Sequence, residues 1–148
     1  MGSCMERYNL MNLNNLHLYM RSWGKVIKFE EIQKFNRYVS KMLLRNRVII
    51  VNGDSGMDAI IFYFLTDDVS KFNNRPMWST PDDSDNGPIM FIDKMIAKRW
   101  NKSVRLAVEK AVEKKYPFVE EAYWLREPKN RSVIIKRGRT HELHSQVC

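Results

Sequence analysis

Cysteine is scarce in this 148-residue chain: there are two, Cys4 and Cys148, one near each end. A disulfide framework needs several cysteines in ordered surroundings, so this pair points to a reducing, intracellular setting. Long apolar runs are missing too. No stretch approaches the roughly 18 apolar residues of a membrane-crossing helix, and the opening residues do not read as a secretory leader. "MGSC" offers Gly2 and Cys4 for acylation, but Glu6 stands where the myristoylation pattern asks for Ser or Thr. Repeats, low-complexity tracts and linkers are also lacking, so residues 1–148 read as one domain, working in the cytoplasm and away from membranes.

Positive charge is what the chain has in excess. Its 25 Lys and Arg outnumber 17 Asp and Glu, for a net charge of +8. Such a surplus draws polyanions and phosphate-bearing ligands from a distance but does not decide the fold. With 44% hydrophobic and 11% aromatic residues the chain has the material for a packed core.

Periodicity orders the chain into elements. "FEEIQKFNRYVSKMLLRN" (29–46) repeats apolar residues at Phe29, Ile32, Phe35, Val39, Met42 and Leu43, three and four apart, which predicts an amphipathic helix. A shorter helix is expected at 15–23, so residues 15–46 form a helical start, with 47–137 the sheet and helix core. Two β-rich runs, Val48 to Asn52 and Met57 to Thr66, flank Gly53-Asp54-Ser55-Gly56. That pattern predicts a β-hairpin, with Gly and Asp taking the positive φ of a tight turn. Residues 67–88 carry three prolines and several Asp and Asn, and read as a long loop. A third strand follows at Ile89 to Ala97. Val104, Ala107, Val108, Ala111 and Val112 then line one face of a helix that Tyr116-Pro117 ends. A strand over Phe118 to Arg126, a turn at "EPKNRS" and a strand over Val133 to Lys136 complete the order, with 138–148 a tail. The fold class expected is α/β: a mixed, mostly antiparallel sheet with helices packed against it.

Chemistry-bearing residues fall in four places. "AKRWNKS", Ala97 to Ser103, joins a strand end to a helix start. There the helix dipole and unpaired amides favour anions, and Lys98, Arg99 and Lys102 add cations. Asp93 interrupts an apolar strand, which marks either a carboxylate of raised proton affinity or one that faces solvent or pairs with a neighbouring base such as Lys94. His141, His144 and Cys148 have a spacing that ligates metals, but they lie in the tail without a fourth ligand, so no metal site is assigned. "STPDDSDNGP" (79–88) lacks the calcium-loop spacing and reads as a solvated loop or as a recogniser of a cationic amine. The alternation in "KNRSVIIKRGR", with Tyr123 and Trp124 near, fits either a charged edge strand or a grip on single-stranded nucleic acid.

The element order over roughly 29–137 resembles the GNAT-type N-acetyltransferases. There two helices precede a hairpin, and a third strand leads through a pyrophosphate loop into a long helix. The next strand splays away to admit acyl-CoA. The resemblance implies acetyl-CoA as cofactor and an amine as acceptor, with Arg99, Lys102, Ser103 and Lys98 as pyrophosphate contacts. It also implies Asp93 as base and Tyr123 as acid. The family's loop has glycines where Lys102 and Val104 stand here, and their side chains are expected to crowd the phosphate. The terminal "YWLREPKNRSVIIKRGR" is similar to acetyltransferase-like proteins of tailed phages, which implies a host-cytoplasm or virion location. Two other functions stay open: a catalytically silent structural or interaction protein that contacts other proteins, and a basic nucleic-acid binder.

Overall fold

A computed structural model gives the structure of the chain and describes residues 13–72, 75–126 and 130–136, with 124–126 and 130–136 described as backbone. Helix α1 (Leu13–Ser22) and a 3-10 turn (Phe29–Glu31) lead into α2 (Ile32–Leu44). Strands β1 (Val48–Gly53), β2 (Gly56–Thr66) and β3 (Ile89–Ala97) follow, then α3 (Lys102–Lys115), β4 (Glu121–Arg126) and β5 (Asn130–Lys136). The expected mixed, mostly antiparallel sheet with packed helices is present. Its five strands lie in chain order, and β3–β4 is the one parallel pair among them.

The sheet is covered on both faces. On β2, Ala59, Ile61, Tyr63 and Leu65 join the core under α3, and Ile60, Phe62 and Phe64 join the core under α1 and α2. This explains a nearly continuous apolar strand, since neither face of β2 meets water. Helix α3 contributes Val104, Val108 and Val112, one stripe at four-residue intervals, all buried. Helix α2 contributes Phe35, Tyr38, Val39 and Met42 to the opposite layer.

The helix expected over 15–23 runs Leu13–Ser22, the one expected over 29–46 is a 3-10 turn followed by Ile32–Leu44, and three boundaries in the sheet differ as well. In the hairpin the positive φ falls on Gly56, at 112°, and neither Gly53 nor Asp54 has one; the strands extend to pair Gly53 with Gly56. Strand β4 begins at Glu121, because a turn with Val119 N–H donating to the Tyr116 carbonyl occupies the residues before it. Strand β5 begins at Asn130, its pairing with β4 consuming half of the expected turn. The tail with His141, His144 and Cys148 lies outside the described residues. Among those described, no helix is long and apolar enough to cross a membrane.

The acidic stretch at 79–88 is in part a strap: Asp83 is buried against the sheet, while Asp82 and Asp85 are solvated as expected. The Arg47 guanidinium, nearly buried, donates from Nε to Asp83 at 2.7 Å and from Nη2 to Asp85 at 2.5 Å. Burial works against the Arg47 charge, and the hydrogen bonds and attraction of Asp83 outweigh it and keep the charge in place. Asp83 also accepts from the Leu65 amide at 3.0 Å. At Gly87 an added Cβ would stand 2.5 Å from the Thr66 backbone nitrogen, so the strap passes only as glycine.

Asp83 and Asp85 grip the same guanidinium but differ in burial, with side chains 8% and 98% exposed. Asp83→Ala should therefore cost about 3 kcal/mol by leaving a buried cation unmatched. Asp85→Ala should cost less than about 1 kcal/mol. Urea denaturation of the two variants checks this, and equal losses would refute the burial argument.

Candidate functional site

The parallel pair is short. β3 pairs with β4 at Ile89–Glu121, Met90–Ala122, Phe91–Tyr123 and Ile92–Trp124, and there the ladder ends. β3 continues to Ala97 beside β2, and β4 continues to Arg126 beside β5. The two parallel strands thus stop pairing before their carboxyl ends, and such ends are where α/β proteins hold ligands.

A bulge lies at the point of parting. Phe62 pairs with Lys94 and Tyr63 with Ile92, so Asp93 is the extra residue on β3. A bulge sets two successive side chains on one face and sharpens the local twist. Here Ile92 belongs to the α3 side, and Asp93 contacts Tyr38 of α2 on the other. Lys94 lies on that same side, its ammonium 4.9 Å above the Trp78 ring.

The basic loop begins where β3 ends. Lys98, Arg99, Lys102 and Ser103 are all exposed. Asn101 caps α3, its side-chain oxygen accepting from the Val104 amide at 2.9 Å. The caps of helices leave other first-turn amides without helical partners, so Lys102 and Ser103 can offer theirs. An open groove of about 570 Å³ runs beside them, lined by Trp100, Asn101, Lys102, Arg105, Leu106 and Glu109. Of the two side chains expected to crowd this turn, Val104 is 4% exposed and packs onto the sheet. Only Lys102 faces out, and it carries a charge that favours an anion.

Asp93 is buried and fully engaged. One carboxylate oxygen takes the Arg75 guanidinium in an ion pair, and the other accepts from the Tyr38 hydroxyl at 2.5 Å. Burial raises the Tyr38 phenol far above its usual range, with the Arg75 charge offsetting part of this, so Tyr38 stays protonated and donates. Burial lowers Arg75, and it lowers Lys94 with help from the Arg75 charge. Asp93 does not face solvent, and the base it pairs with is Arg75 rather than Lys94.

Tyr123 lies across from Phe91, on the same sheet face as Asp93. Its hydroxyl donates to Glu121, two residues back along β4 and away from the parting strands. The register thus gathers Asp93 and Tyr123 on one face, with the basic loop at the end of β3, but their polar tips have separate partners.

Sequence reasoning passed over Arg75, Tyr38 and Trp78. Arg75 and Trp78 sit in the turn-rich loop without a motif. Tyr38 did carry a signal: it lies on the buried stripe between Phe35 and Met42, where a hydroxyl must find a partner.

A second polar cluster closes the far end of α3. The Tyr63 and Tyr116 hydroxyls lie 2.5 Å apart and both approach the Asn46 carbonyl, at 3.3 and 3.4 Å. Asn46 holds φ at 60°, a left-handed turn that asparagine tolerates. The Lys115 ammonium donates to the Asn46 side chain at 3.0 Å. Burial, and then the nearby Arg47 charge, push Lys115 down to about 8.

No family model, curated protein or solved structure matches the chain.

Two expectations follow from these clusters. Asp93→Asn should destabilise the fold by about 3 kcal/mol, because Arg75 is left buried without its counter-charge. The double change Arg75→Met with Asp93→Asn should recover part of that loss; denaturation midpoints that show no recovery would mean the pair is not coupled. At Lys115 the folded chain binds fewer protons than the unfolded chain between pH of about 8 and 10.5. Stability contributed by this group therefore rises with pH across that window. Lys115→Met should flatten the rise, read as the difference between wild-type and variant denaturation curves at stepped pH.

Proposed function

We propose that the chain is an acyl-CoA-dependent N-acyltransferase of the GNAT type, with its cofactor in the opening between β3 and β4. The observation that carries this reading is the parting of the two parallel strands after Ile92 and Trp124, with an exposed cationic loop at the end of the longer one. Arg99 and Lys102, with Lys98 beside them, would hold the diphosphate as cations, and Ser103 would add a hydroxyl at the first turn of α3. The inward turn of Val104 supports this, since one of the two side chains standing in place of glycine is clear of that turn. Acetyl-CoA would supply the activated acyl group. The chain's own work would be to fix the diphosphate, keep water from the opening and move a proton off the acceptor amine.

Proton transfer is the demanding part. Asp93 is the carboxylate nearest the parting strands in sequence, and Tyr123 shares its face of the sheet. For Asp93 to act as base, Arg75 must release it. Tyr123 would likewise have to turn from Glu121 to act as acid.

The same engagement of Asp93 favours a second reading, in which the fold is retained without catalysis and the chain works by contacting other proteins, as a virion or host-interaction component. Binding of nucleic acid is a third and rests on the net charge and on the basic alternation of "KNRSVIIKRGR" beside Tyr123 and Trp124.

Calorimetric titration with acetyl-CoA at low salt and at about 0.15 M salt tests the first reading. The expected result is micromolar binding that survives the higher salt and weakens about fivefold in Arg99→Ala, the loss of one exposed ion pair. Binding that vanishes with salt would reduce the loop to an electrostatic attraction. Retained binding without release of free CoA in the presence of an amine panel would establish the silent reading.

A further inference from the structure

The segment 75–79 carries an unmet demand. Arg75 uses Nη2 on Asp93 and Nη1 on the Ser79 carbonyl and hydroxyl, at 2.8 and 2.7 Å, while its Nε is buried without a partner. Three residues on, the Trp78 indole Nε1 is also buried without a partner. Among the described residues these are the only two such side-chain atoms, and both are donors. Buried donors cost about 1–3 kcal/mol each when left open, so what is missing is an acceptor.

Both belong to one constellation. The Trp78 ring stands edge-on to Phe35 at 5.2 Å and to Tyr38 at 5.4 Å. Tyr38 and Arg75 meet on the Asp93 carboxylate, and the Arg75 guanidinium lies 5.2 Å from the centre of the Phe64 ring. Trp78 holds φ at 65°, a conformation costly for a residue with a side chain. Backbone strain of this kind gathers at ligand clamps, and nothing inside the described fold uses the indole N–H that the strain positions. The cluster lies just beneath the surface, since Pro76 and Met77 above it are exposed.

The chemistry narrows the ligand. Donors alone are unmet, which excludes an amine or another cation. Arg75 has Asp93 as its counter-charge and Lys94, over the Trp78 ring, has Glu31 near it, so the choice of a carboxylate rests on the two unmet donors, which its two oxygens match in number. We propose that Arg75 Nε and Trp78 Nε1, beside the β3 bulge, form a binding site for a carboxylate group on a small ligand. The proposal does not rest on acyl transfer. Bound carboxylate would satisfy both donors and leave the Arg75–Asp93 pair in place.

The probe is sodium acetate, titrated into the ¹⁵N-labelled full chain against sodium chloride at matched ionic strength. The Trp78 indole and Arg75 Nε–H resonances are assigned with Trp78→Phe and Arg75→Lys. Both signals should shift saturably with one common midpoint, and Trp78→Phe, which keeps a ring in the aromatic cluster, should raise that midpoint about tenfold. Arg75→Lys keeps the charge and removes Nε, and should act in the same direction. Shifts no larger than those with chloride, or a long-lived water cross-relaxing with the indole hydrogen at every acetate concentration, would overturn the proposal and assign the missing acceptor to a buried water.

Discussion

Strand β3 has to satisfy two neighbours that leave in different directions. Along one edge it pairs antiparallel with β2 through to Ala97; along the other it pairs with β4 only as far as Ile92. The bulge at Asp93 is where those demands separate. It lets β3 stay on β2 with increased twist while β4 departs with β5. The same extra residue brings Asp93 and Lys94 together on the α2 face. The end of the β3–β4 ladder and the buried carboxylate both fall at this single irregularity.

A carboxylate forced inward must be matched, and the matching organises the loop above it. Arg75 reaches down to Asp93, and its second nitrogen ties back to Ser79, so the segment between them is drawn onto the sheet. At the start of the sheet the same logic runs in mirror sense: Arg47 is the buried group, and Asp83 and Asp85 come to it from the loop. The long connection from β2 to β3 is thus fastened at two points, Arg75 and Asp83, by buried arginine–aspartate pairs. Such pairs add little net stability beyond a well-packed apolar substitute, but they fix where a loop lies.

Local patterns carried the elements and missed the pairs. The stripe of α2, the hairpin of β1 and β2 and the apolar run of β3 were legible because helical and strand periods repeat within a few residues. Asp93 and Tyr38 are 55 residues apart, Asp93 and Arg75 18, and Arg47 and Asp83 36. No periodicity links such positions, and a bulge leaves no mark in composition. Asp93 still stood out as a charge in an apolar strand, while its partner could not be named. The solvated reading of 79–88 holds for Asp82 and Asp85 and fails at Asp83, because the arginine that buries it lies on the other side of a whole hairpin.

The segment 75–79 is also where the fold is least satisfied. It combines a left-handed tryptophan, two buried donors without acceptors and an ion pair taken out of water. Regions with such deficits open at lower free energy than the packed strands beneath them. Lifting this segment would carry Arg75 away from Asp93, and the carboxylate would then face the parting strands with only the Tyr38 hydroxyl on it. The Arg75–Asp93 contact is therefore governed by a local equilibrium in the loop. A ligand that bridges Arg75 and Trp78 would hold it closed, because it would bind only the state in which both donors are in place.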